Sequence, residues 1–292
     1  MSSEVTSPLA NISEAREVIA AYNLQAKKSF GQNFLINDAI IKKILALADI
    51  RHGDFVTEIG PGFGTLTVAL VRAGATVLAV EKDKKIINAL VDNLEKYCPE
   101  GMDNIDVLRQ DALRLDFGAY ERRAPKAQIK LVSNLPYNVA APIVITYFQK
   151  LPTMTEATVM VQKEIADRMM AEPGNKNYGA YTIKLAMYAK PVGNFPVSRT
   201  NFMPQPRVDS TVIKLLRHHE VEDSVAAKAC LVADAAFAHR RKTIANSIKE
   251  YFQDDTIMID KITQAFKTAG IDMSLRAETL RPEDYAIIAQ SL

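Results

Sequence analysis

The segment that most constrains the fold is a glycine-rich turn, GPGFG at residues 60–64, between a strand-like and a helix-like stretch. Residues 55–59 are rich in apolar side chains, and residues 65–72 carry apolar side chains at helical spacing. Glycines at such a junction let a nucleotide-like ligand approach the backbone closely. The turn therefore predicts the first strand–turn–helix unit of an α/β fold.

Strand and helix patterns alternate beyond this turn. Strands separated by helices of about 10–15 residues predict a parallel sheet with helices on both faces, the Rossmann-like α/β class. The predicted strands are residues 76–81, 105–108, 129–133 and 158–162, and a predicted helix covers residues 84–95. The Pro-rich residues 189–207 are predicted as loop, and residues 208–216 as a last strand. No helix precedes this strand, as expected for an antiparallel hairpin.

The composition changes at residues 218–223, which are mostly charged or His. Only helical patterns follow, at residues 224–237, 240–252, 259–269 with Gly270 as a C-cap, and 282–290 with Pro282 in the first turn. We therefore predict an α/β domain at residues 27–217 and an all-helical domain at residues 218–292. Residues 1–26 are predicted to be a disordered extension, although residues 13–22 can form a short helix.

The composition, with 48% hydrophobic and 24% charged residues, is that of an ordinary globular protein. No run approaches the roughly 18 apolar residues of a membrane span, and the first residues lack the apolar stretch of a signal peptide. Cys98 and Cys230 are far apart, and the four His have no zinc-ligand spacing. We expect a cytoplasmic protein in a reducing compartment, with no membrane association and no metal.

The positive charge belongs mainly to the first domain. Residues 218–292 hold 9 Lys and Arg against 12 Asp and Glu, a net charge of −3, whereas residues 1–217 hold 27 against 22, a net charge of +5. A polyanion would therefore be attracted mainly by the α/β domain. A local exception is residues 240–242 (Arg-Arg-Lys), on a predicted helix, which either face phosphates or form an ordinary solvated surface.

Acceptor groups are predicted at the carboxyl ends of successive strands. The turn reads G-x-G-x-G, because Thr65 occupies the third glycine position of the dinucleotide fingerprint, and this suits a cofactor without a pyrophosphate. Glu81 ends the second strand and can accept hydrogen bonds from both ribose hydroxyls. Asp111 ends the third strand and can accept one from an adenine amino group. The alternative is a tight turn with surface carboxylates nearby.

The tetrapeptide Asn134-Leu135-Pro136-Tyr137 has the groups needed for transfer to the amino group of a nucleobase. An adenine amino nitrogen is a poor nucleophile because its lone pair is conjugated with the ring. Asn134 Oδ1 and the backbone carbonyl beside Pro136 can accept its N–H bonds out of plane and free that lone pair. Tyr137 can stack on an unpaired or flipped base, a contact worth about 1–3 kcal/mol. The alternative is a strand-ending turn with a buried Tyr.

From residue 27 to the C-terminus, the chain resembles the small-subunit rRNA adenine-N6,N6 dimethyltransferases. The resemblance rests on Glu81 and on the motifs KKSFGQNFL, EIGPGFG, QDA, SNLPYN, QKEIADRM, NYGA, FMPQPRVDS and AHRRKTIANSIK, in the family's order. It implies a class I methyltransferase fold and S-adenosylmethionine as donor. It also implies dimethylation of two adjacent adenosines near the 3′ end of 16S-type rRNA, linked to subunit biogenesis. The implied cofactor contacts are Asn33, Leu35, Gly60, Glu81, Asp111 and Asn134, and the implied base-clamping residues are Asn134, Leu135, Pro136, Tyr137 and Phe202, where Phe202 is otherwise plain core.

Three alternatives remain at this point. The macrolide-resistance methyltransferases, which act on 23S rRNA, share QNFL and Asn-x-Pro-Tyr, but Leu135, residues 140–143 and FMPQPRVDS are more similar to the small-subunit family. A ribosome-assembly factor with this fold would not need the acceptor residues, and here all are present. An NAD-dependent dehydrogenase is disfavoured by Thr65.

The predicted partner is rRNA within an immature small ribosomal subunit, bound by a monomer. The net charge of +2 is too small for tight binding by electrostatics alone, so the target is expected to be a preformed RNA–protein surface. Four basic residues are predicted to line the same groove as Asn134: Lys27, Lys28, Arg199 and Arg207.

Overall fold

The computed structural model describes residues 6–24, 33–124 and 128–292. Its internal contacts divide the chain into two units, residues 1–166 with 191–216, and residues 167–190 with 217–292. Each unit has its own buried side chains.

The first unit alternates strands and helices along the chain. Its elements are α1 (Ile12–Ala21), β1 (Phe34–Leu35), α2 (Asp38–Leu47), β2 (Phe55–Ile59), α3 (Thr65–Arg72), β3 (Thr76–Glu81), α4 (Lys84–Tyr97), β4 (Ile105–Arg109), α5 (Phe117–Glu121), β5 (Ile129–Asn134), α6 (Ala140–Lys150), β6 (Met154–Gln162), β7 (Ala189–Val197), β8 (Phe202–Met203) and β9 (Ser210–Arg217). Helix α7 (Lys163–Met169) follows β6. The second unit includes the last three residues of α7, the first two of β7 and the last one of β9.

Seven strands of the described chain form one sheet in the order β4-β3-β2-β5-β6-β9-β7. The pairs β4–β3, β3–β2, β2–β5 and β5–β6 are parallel, and β9 is antiparallel to β6. The Rossmann-like prediction is confirmed, including the antiparallel final strand. The buried central strands are rich in Val, Ile and Leu, as expected when helices cover both faces of a parallel sheet.

The prediction of loop for residues 189–207 is wrong over 189–197, which form strand β7. This strand lies at the end of the sheet order, and most of its side chains are exposed. Pro191 and Pro196 lack a backbone N–H, and an edge strand tolerates this because one of its sides needs no ladder hydrogen bond. The prolines therefore indicate an edge position.

The prediction of a disordered extension is wrong for residues 6–24, which are folded onto the first unit. Helix α1 buries Ala15 and Val18, and the preceding Leu9 is fully buried. The backbone N–H of Ser7 donates to Asp38 Oδ1 over 2.8 Å, at the start of α2. Most residues of this segment are small or polar, so the sequence gives little sign of the few apolar residues that pack it against the first unit.

The second unit is helical. Its elements are α8 (Ala180–Ala186), α9 (Asp223–Phe237), α10 (Ile244–Phe252), α11 (Thr256–Ala269) and α12 (Pro282–Gln290). Helix α9 packs against α8, α10 and α12, and α11 packs against α12. Gly270, with a φ of 69°, is the C-cap of α11, and Pro282 begins α12, as predicted.

Two details of this unit differ from prediction. Residues 167–190 were expected in the α/β domain but pack with the helices, where Tyr178 Oη donates to the Leu280 carbonyl over 2.7 Å. Residues 240–242 were expected on a helix, but α10 begins only at Ile244, because the Thr243 side chain caps it by accepting from Asn246 N.

We predict that Leu9→Ala lowers the free energy of unfolding by about 2–5 kcal/mol, because a buried Leu leaves a cavity when truncated. Ile12→Ala, at a side chain that is 48% exposed, serves as the control and should change stability by less than about 0.5 kcal/mol. Urea unfolding followed by circular dichroism measures both. Equal effects of the two substitutions would mean that the segment is not docked.

Candidate active site

One cavity opens at the carboxyl ends of β2, β3, β4 and β5. It encloses about 1220 Å³, including the solvent at its mouth. It lies where the strand order reverses, since the chain runs outward from β2 through β3 to β4 and then returns to β5 on the other side. Ligands of open α/β sheets bind at such switch points. The cavity is lined by the six residues expected to contact a cofactor and by the whole tetrapeptide: Asn33, Leu35, Gly60, Glu81, Asp111, Asn134, Leu135, Pro136 and Tyr137.

At the glycine-rich turn, backbone without side chains forms part of the cavity wall. Gly60 has a φ of 67°, and a Cβ there would lie 3.2 Å from Pro136 Cγ. Gly62 has a φ of 58°, and its Cβ would lie 3.2 Å from the Phe34 ring. Side chains at either position would strain the backbone and crowd these neighbours. Buried Asn93 of α4 fixes the turn by donating to the Phe63 carbonyl over 2.8 Å.

Glu81 is held at the end of β3 with one carboxylate oxygen engaged. Its Oε1 accepts from the backbone N–H groups of Lys82 at 2.7 Å and Asp83 at 2.8 Å. Its Oε2 accepts no hydrogen bond from the described residues. Burial raises the pKa of Glu81, although the two backbone donors act in the opposite direction. The geometry leaves Oε2 available to a ligand, and acceptance from both ribose hydroxyls stays a prediction.

Asp111 provides a second carboxylate on the wall. Its Oδ1 accepts from Leu113 N over 3.0 Å, and its Oδ2 lies 3.5 Å from Lys82 Nζ. The Leu113 hydrogen bond, together with Lys82, lowers the pKa of Asp111. It is therefore an anionic acceptor. Lys82 also lines the cavity and was missed in the sequence, where it reads as one of several surface lysines.

The amide of Asn134 has its oxygen available. Asn134 Nδ2 donates to the Asn33 carbonyl over 3.1 Å. A carbonyl accepts only, so this bond orients the amide with nitrogen towards Asn33 and oxygen away from it. Within the described chain, no group donates to Asn134 Oδ1. An acceptor that is oriented but unpartnered fits the predicted role towards an amine.

The loop after Asn134 presents a second acceptor. Leu135 N donates to the Met160 carbonyl over 3.1 Å, which ties the loop to β6. The Pro136 carbonyl accepts from Val139 N over 3.1 Å and is therefore engaged in a turn. The Leu135 carbonyl accepts nothing from the residues that the structure describes. Of the carbonyls beside Pro136, the Leu135 carbonyl is thus the available one.

Tyr137 and Phe202 have different environments. Tyr137 Oη and Ser210 Oγ are 2.6 Å apart, and this hydrogen bond anchors the half-buried ring in the cavity. Burial raises the pKa of Tyr137. Ser210 was missed, since it is the last residue of FMPQPRVDS and carries no separate signal. Phe202, predicted as a second aromatic wall, is only 3% exposed, pairs with Leu35 in the β1–β8 ladder and lies in the core, outside the cavity lining. This ladder places Phe202 among apolar neighbours.

Of the predicted basic residues that the structure describes, neither Arg199 nor Arg207 is part of the cavity lining. The Arg199 backbone N–H donates to Asp209 Oδ1, and its side chain donates to the Arg207 carbonyl. In the second unit, Arg240 pairs with Glu278 and Lys242 with Glu250. Lys27 and Lys28 lie outside the described residues.

The described ranges show neither a metal-binding cluster nor a membrane-spanning helix. No group of three or more His, Cys, Asp or Glu in them is arranged to hold a metal ion. None of their helices is both long and apolar enough to span a bilayer.

The comparisons with known proteins identify the family. Residues 23–292 match the model for ribosomal RNA adenine dimethylases. The chain is 37% identical to ribosomal RNA small subunit methyltransferase A of Streptococcus pneumoniae, over 97% of this chain and 98% of that protein. It is 39% identical to the protein of the same name from Lactiplantibacillus plantarum, over 97% of this chain and 96% of that protein. The chain belongs to the ribosomal RNA adenine dimethylase family.

Solved structures agree with this family fold. A dimethyladenosine transferase from Plasmodium falciparum, 25% identical, matches with a TM-score of 0.70 over 87% of this chain and 95% of that chain. The 23S rRNA methyltransferase ErmE, 23% identical, matches with a TM-score of 0.62 over 89% and 99%, which shows the fold alone. The expected class I methyltransferase fold is confirmed, as is the expectation of an rRNA adenine dimethyltransferase. The dehydrogenase alternative is excluded.

This dimethylase has a buried carboxyl group beneath its glycine-rich turn. Glu58 is 1% exposed and contributes to the cavity lining. Thr67 Oγ1 donates to its Oε2 over 2.7 Å. Burial raises the pKa of Glu58 to about 8, and the Thr67 hydrogen bond acts in the opposite direction. Folding therefore favours the protonated form of this carboxyl at neutral pH.

We predict that Glu58 makes the ligand-free protein less stable as the pH rises from about 4.5 to about 8. Over this range the folded state retains a proton that the unfolded state has lost, so rising pH favours unfolding, by at most about 1.4 kcal/mol per pH unit. Glu58→Gln cannot ionise, so its stability relative to the parent should rise with pH and level off above pH 8. Urea unfolding at several pH values measures this difference, and a pH-independent difference would contradict the prediction.

Proposed function

We propose that the protein uses S-adenosylmethionine to dimethylate the N6 amino groups of two adjacent adenosines near the 3′ end of 16S rRNA. The observation that carries the proposal is the pair of unpartnered acceptors, Asn134 Oδ1 and the Leu135 carbonyl, in the cavity described above. In a family of rRNA adenine dimethylases, two acceptors at the cavity wall match the two N–H bonds of an adenine amino group.

The cavity wall supports a sulfonium nucleoside as cofactor. The glycine-rich turn leaves room that a Cβ at Gly60 or Gly62 would fill. Glu81 Oε2 suits the ribose hydroxyls, and the Asp111 carboxylate suits the adenine amino group. Asn33 and Leu35 complete the wall. When bound, this cofactor supplies an electrophilic methyl group.

The chain itself contributes binding and orientation of the target base. Hydrogen bonds from the amino group to Asn134 Oδ1 and to the Leu135 carbonyl draw the nitrogen towards tetrahedral geometry and localise its lone pair. Tyr137, anchored by Ser210, holds the ring by stacking, which requires an unpaired or flipped adenosine. The methylated nitrogen is acidic and loses its proton to water, so the site needs no strong base.

Two observations favour the small subunit over 23S rRNA as the substrate. Relatives that are 36–39% identical over 97% of the chain are named as small subunit methyltransferases. Within the chain, Leu135 of the loop at residues 134–137, the catalytic loop, and the FMPQPRVDS segment are more similar to the small-subunit family.

We predict that Asn134→Ala lowers the rate of methyl transfer by about 100-fold or more, because a preorganised group that acts on the reacting atoms typically contributes this much. Binding to immature small subunits should be retained. Incorporation of labelled methyl groups into rRNA adenosines measures the rate of transfer. Co-sedimentation with immature small subunits measures binding. Methylation by Asn134→Ala at the rate of the parent would refute the assigned role.

The modest net charge of +2 supports a preformed RNA–protein surface as the substrate rather than free RNA. We therefore predict that immature 30S subunits are methylated at least about tenfold more efficiently than protein-free 16S rRNA, measured as kcat/KM at one ionic strength. Mass spectrometry of the adenosines locates the modified bases. Equal efficiency on the two substrates would contradict the prediction.

A further inference from the structure

The central strands of the sheet separate where the active site begins. The β2–β5 ladder pairs Phe55 with Ile129, Val56 with Lys130 and Thr57 with Leu131, and it ends there. Beyond this point β2 stays paired with β3 through Ile59, and β5 stays paired with β6 through Asn134. The two strands that carry the two halves of the site therefore diverge into a split.

One side chain crosses this split. Ser133, the residue before Asn134, is 2% exposed, and its Oγ donates to the Ile59 carbonyl over 2.6 Å. Ile59 immediately precedes Gly60, the first glycine of the turn. The bond thus joins the last residue of β2 to the β5 residue that precedes the catalytic tetrapeptide 134–137, in the place where the backbone ladder has stopped.

The two sides of the split are otherwise anchored to different neighbours. Gly60 N donates to the Val80 carbonyl of β3 over 2.9 Å, whereas Leu135 N donates to the Met160 carbonyl of β6. Across the split, a Cβ on Gly60 would lie only 3.2 Å from Pro136 Cγ, so the two sides leave no room for a side chain between them. Packing of this kind does not oppose separation of the two sides. The Ser133 hydroxyl restrains opening.

We propose that Ser133 is a positioning residue that sets the distance between the cofactor turn and the amine acceptors of the catalytic loop. This rests on the proposed function, because the glycine-rich turn that would hold the cofactor follows β2, whereas the two acceptors that would hold the amine lie at the end of β5. Reacting groups must be held close to their productive separation, and small displacements cost large factors in rate. Loss of the hydroxyl should lower the rate of transfer more than it weakens binding of either ligand.

The chain offers a matched control for this test. Ser247 of α10 is fully buried, and its Oγ donates to the Ala235 carbonyl over 2.7 Å, in the helical unit. Ser133→Ala and Ser247→Ala each remove one buried hydroxyl that donates to a backbone carbonyl. Ser247 Oγ also accepts from His239 N over 3.1 Å, so the control should lose at least as much stability as Ser133→Ala. Only Ser133→Ala removes a bond across the split.

The experiment measures single-turnover methyl transfer to immature small subunits, with S-adenosylmethionine and subunits both saturating, at a temperature where urea unfolding shows all variants folded. We expect Ser133→Ala to be slower than the parent by about tenfold or more, because the reacting groups are less well held. Its dissociation constant for S-adenosylmethionine, measured by calorimetry, should stay within about threefold of the parent value. Ser247→Ala should transfer at the parent rate.

The outcomes separate the inference from the proposed function. A rate for Ser133→Ala within about threefold of that for Ser247→Ala overturns the positioning role, whatever happens to cofactor affinity, because a purely structural hydroxyl predicts this result. A larger difference between the two variants supports the role. If the parent transfers no methyl group to this rRNA, the proposed function itself fails, and the role of Ser133 fails with it.

Discussion

Parallel pairing of β2 with β3 on one side and with β5 on the other is the constraint on which the site depends. The first strand of this sheet along the chain, β2, lies in its interior, and later strands are added on both sides of it. A gap therefore forms at the carboxyl ends of the central strands. Buried aliphatic residues hold the sheet in this arrangement. The chemistry depends on the side chains and carbonyl groups at the strand ends.

Acceptors that remain available are made so by hydrogen bonds elsewhere. Asn134 Nδ2 donates to the Asn33 carbonyl, and this bond orients the Asn134 side-chain oxygen. Val139 N donates to the Pro136 carbonyl, so the Leu135 carbonyl is the one that remains available as an acceptor. These bonds are made before any base arrives. An environment that is already oriented requires little reorganisation during the reaction, which is how polar groups in enclosed sites lower barriers.

The sequence predicts the parts of the site that are contiguous. The glycine-rich turn, the carboxylates that follow strands and the tetrapeptide at residues 134–137 each carry a local signal, and all of them line one cavity. The bonds that fix these groups were not predictable, since Ser133 contacts a residue 74 positions away and Tyr137 one 73 positions away. A serine has no periodicity or motif that reveals a partner at such a separation.

Fold errors arose where composition and tertiary context disagree. Prolines in β7 resemble those of a loop, yet an edge strand accommodates them. Residues 167–190 follow the sheet in sequence but pack with helices that come later in the chain. Each outcome was decided by contacts between distant segments.

The folded part of the catalytic unit includes residues before residue 23, where the family match starts. The family match starts at residue 23, yet Leu9 would lie 3.8 Å from a Cβ placed on Gly64, at the end of the cofactor turn. A protein trimmed to the matched range would lose the Leu9 side chain beside this turn, together with the Ser7 backbone N–H that donates to Asp38. The family match defines the residues that share a sequence pattern. The packing of the chain shows that residues before this match are also needed for the turn to keep its shape.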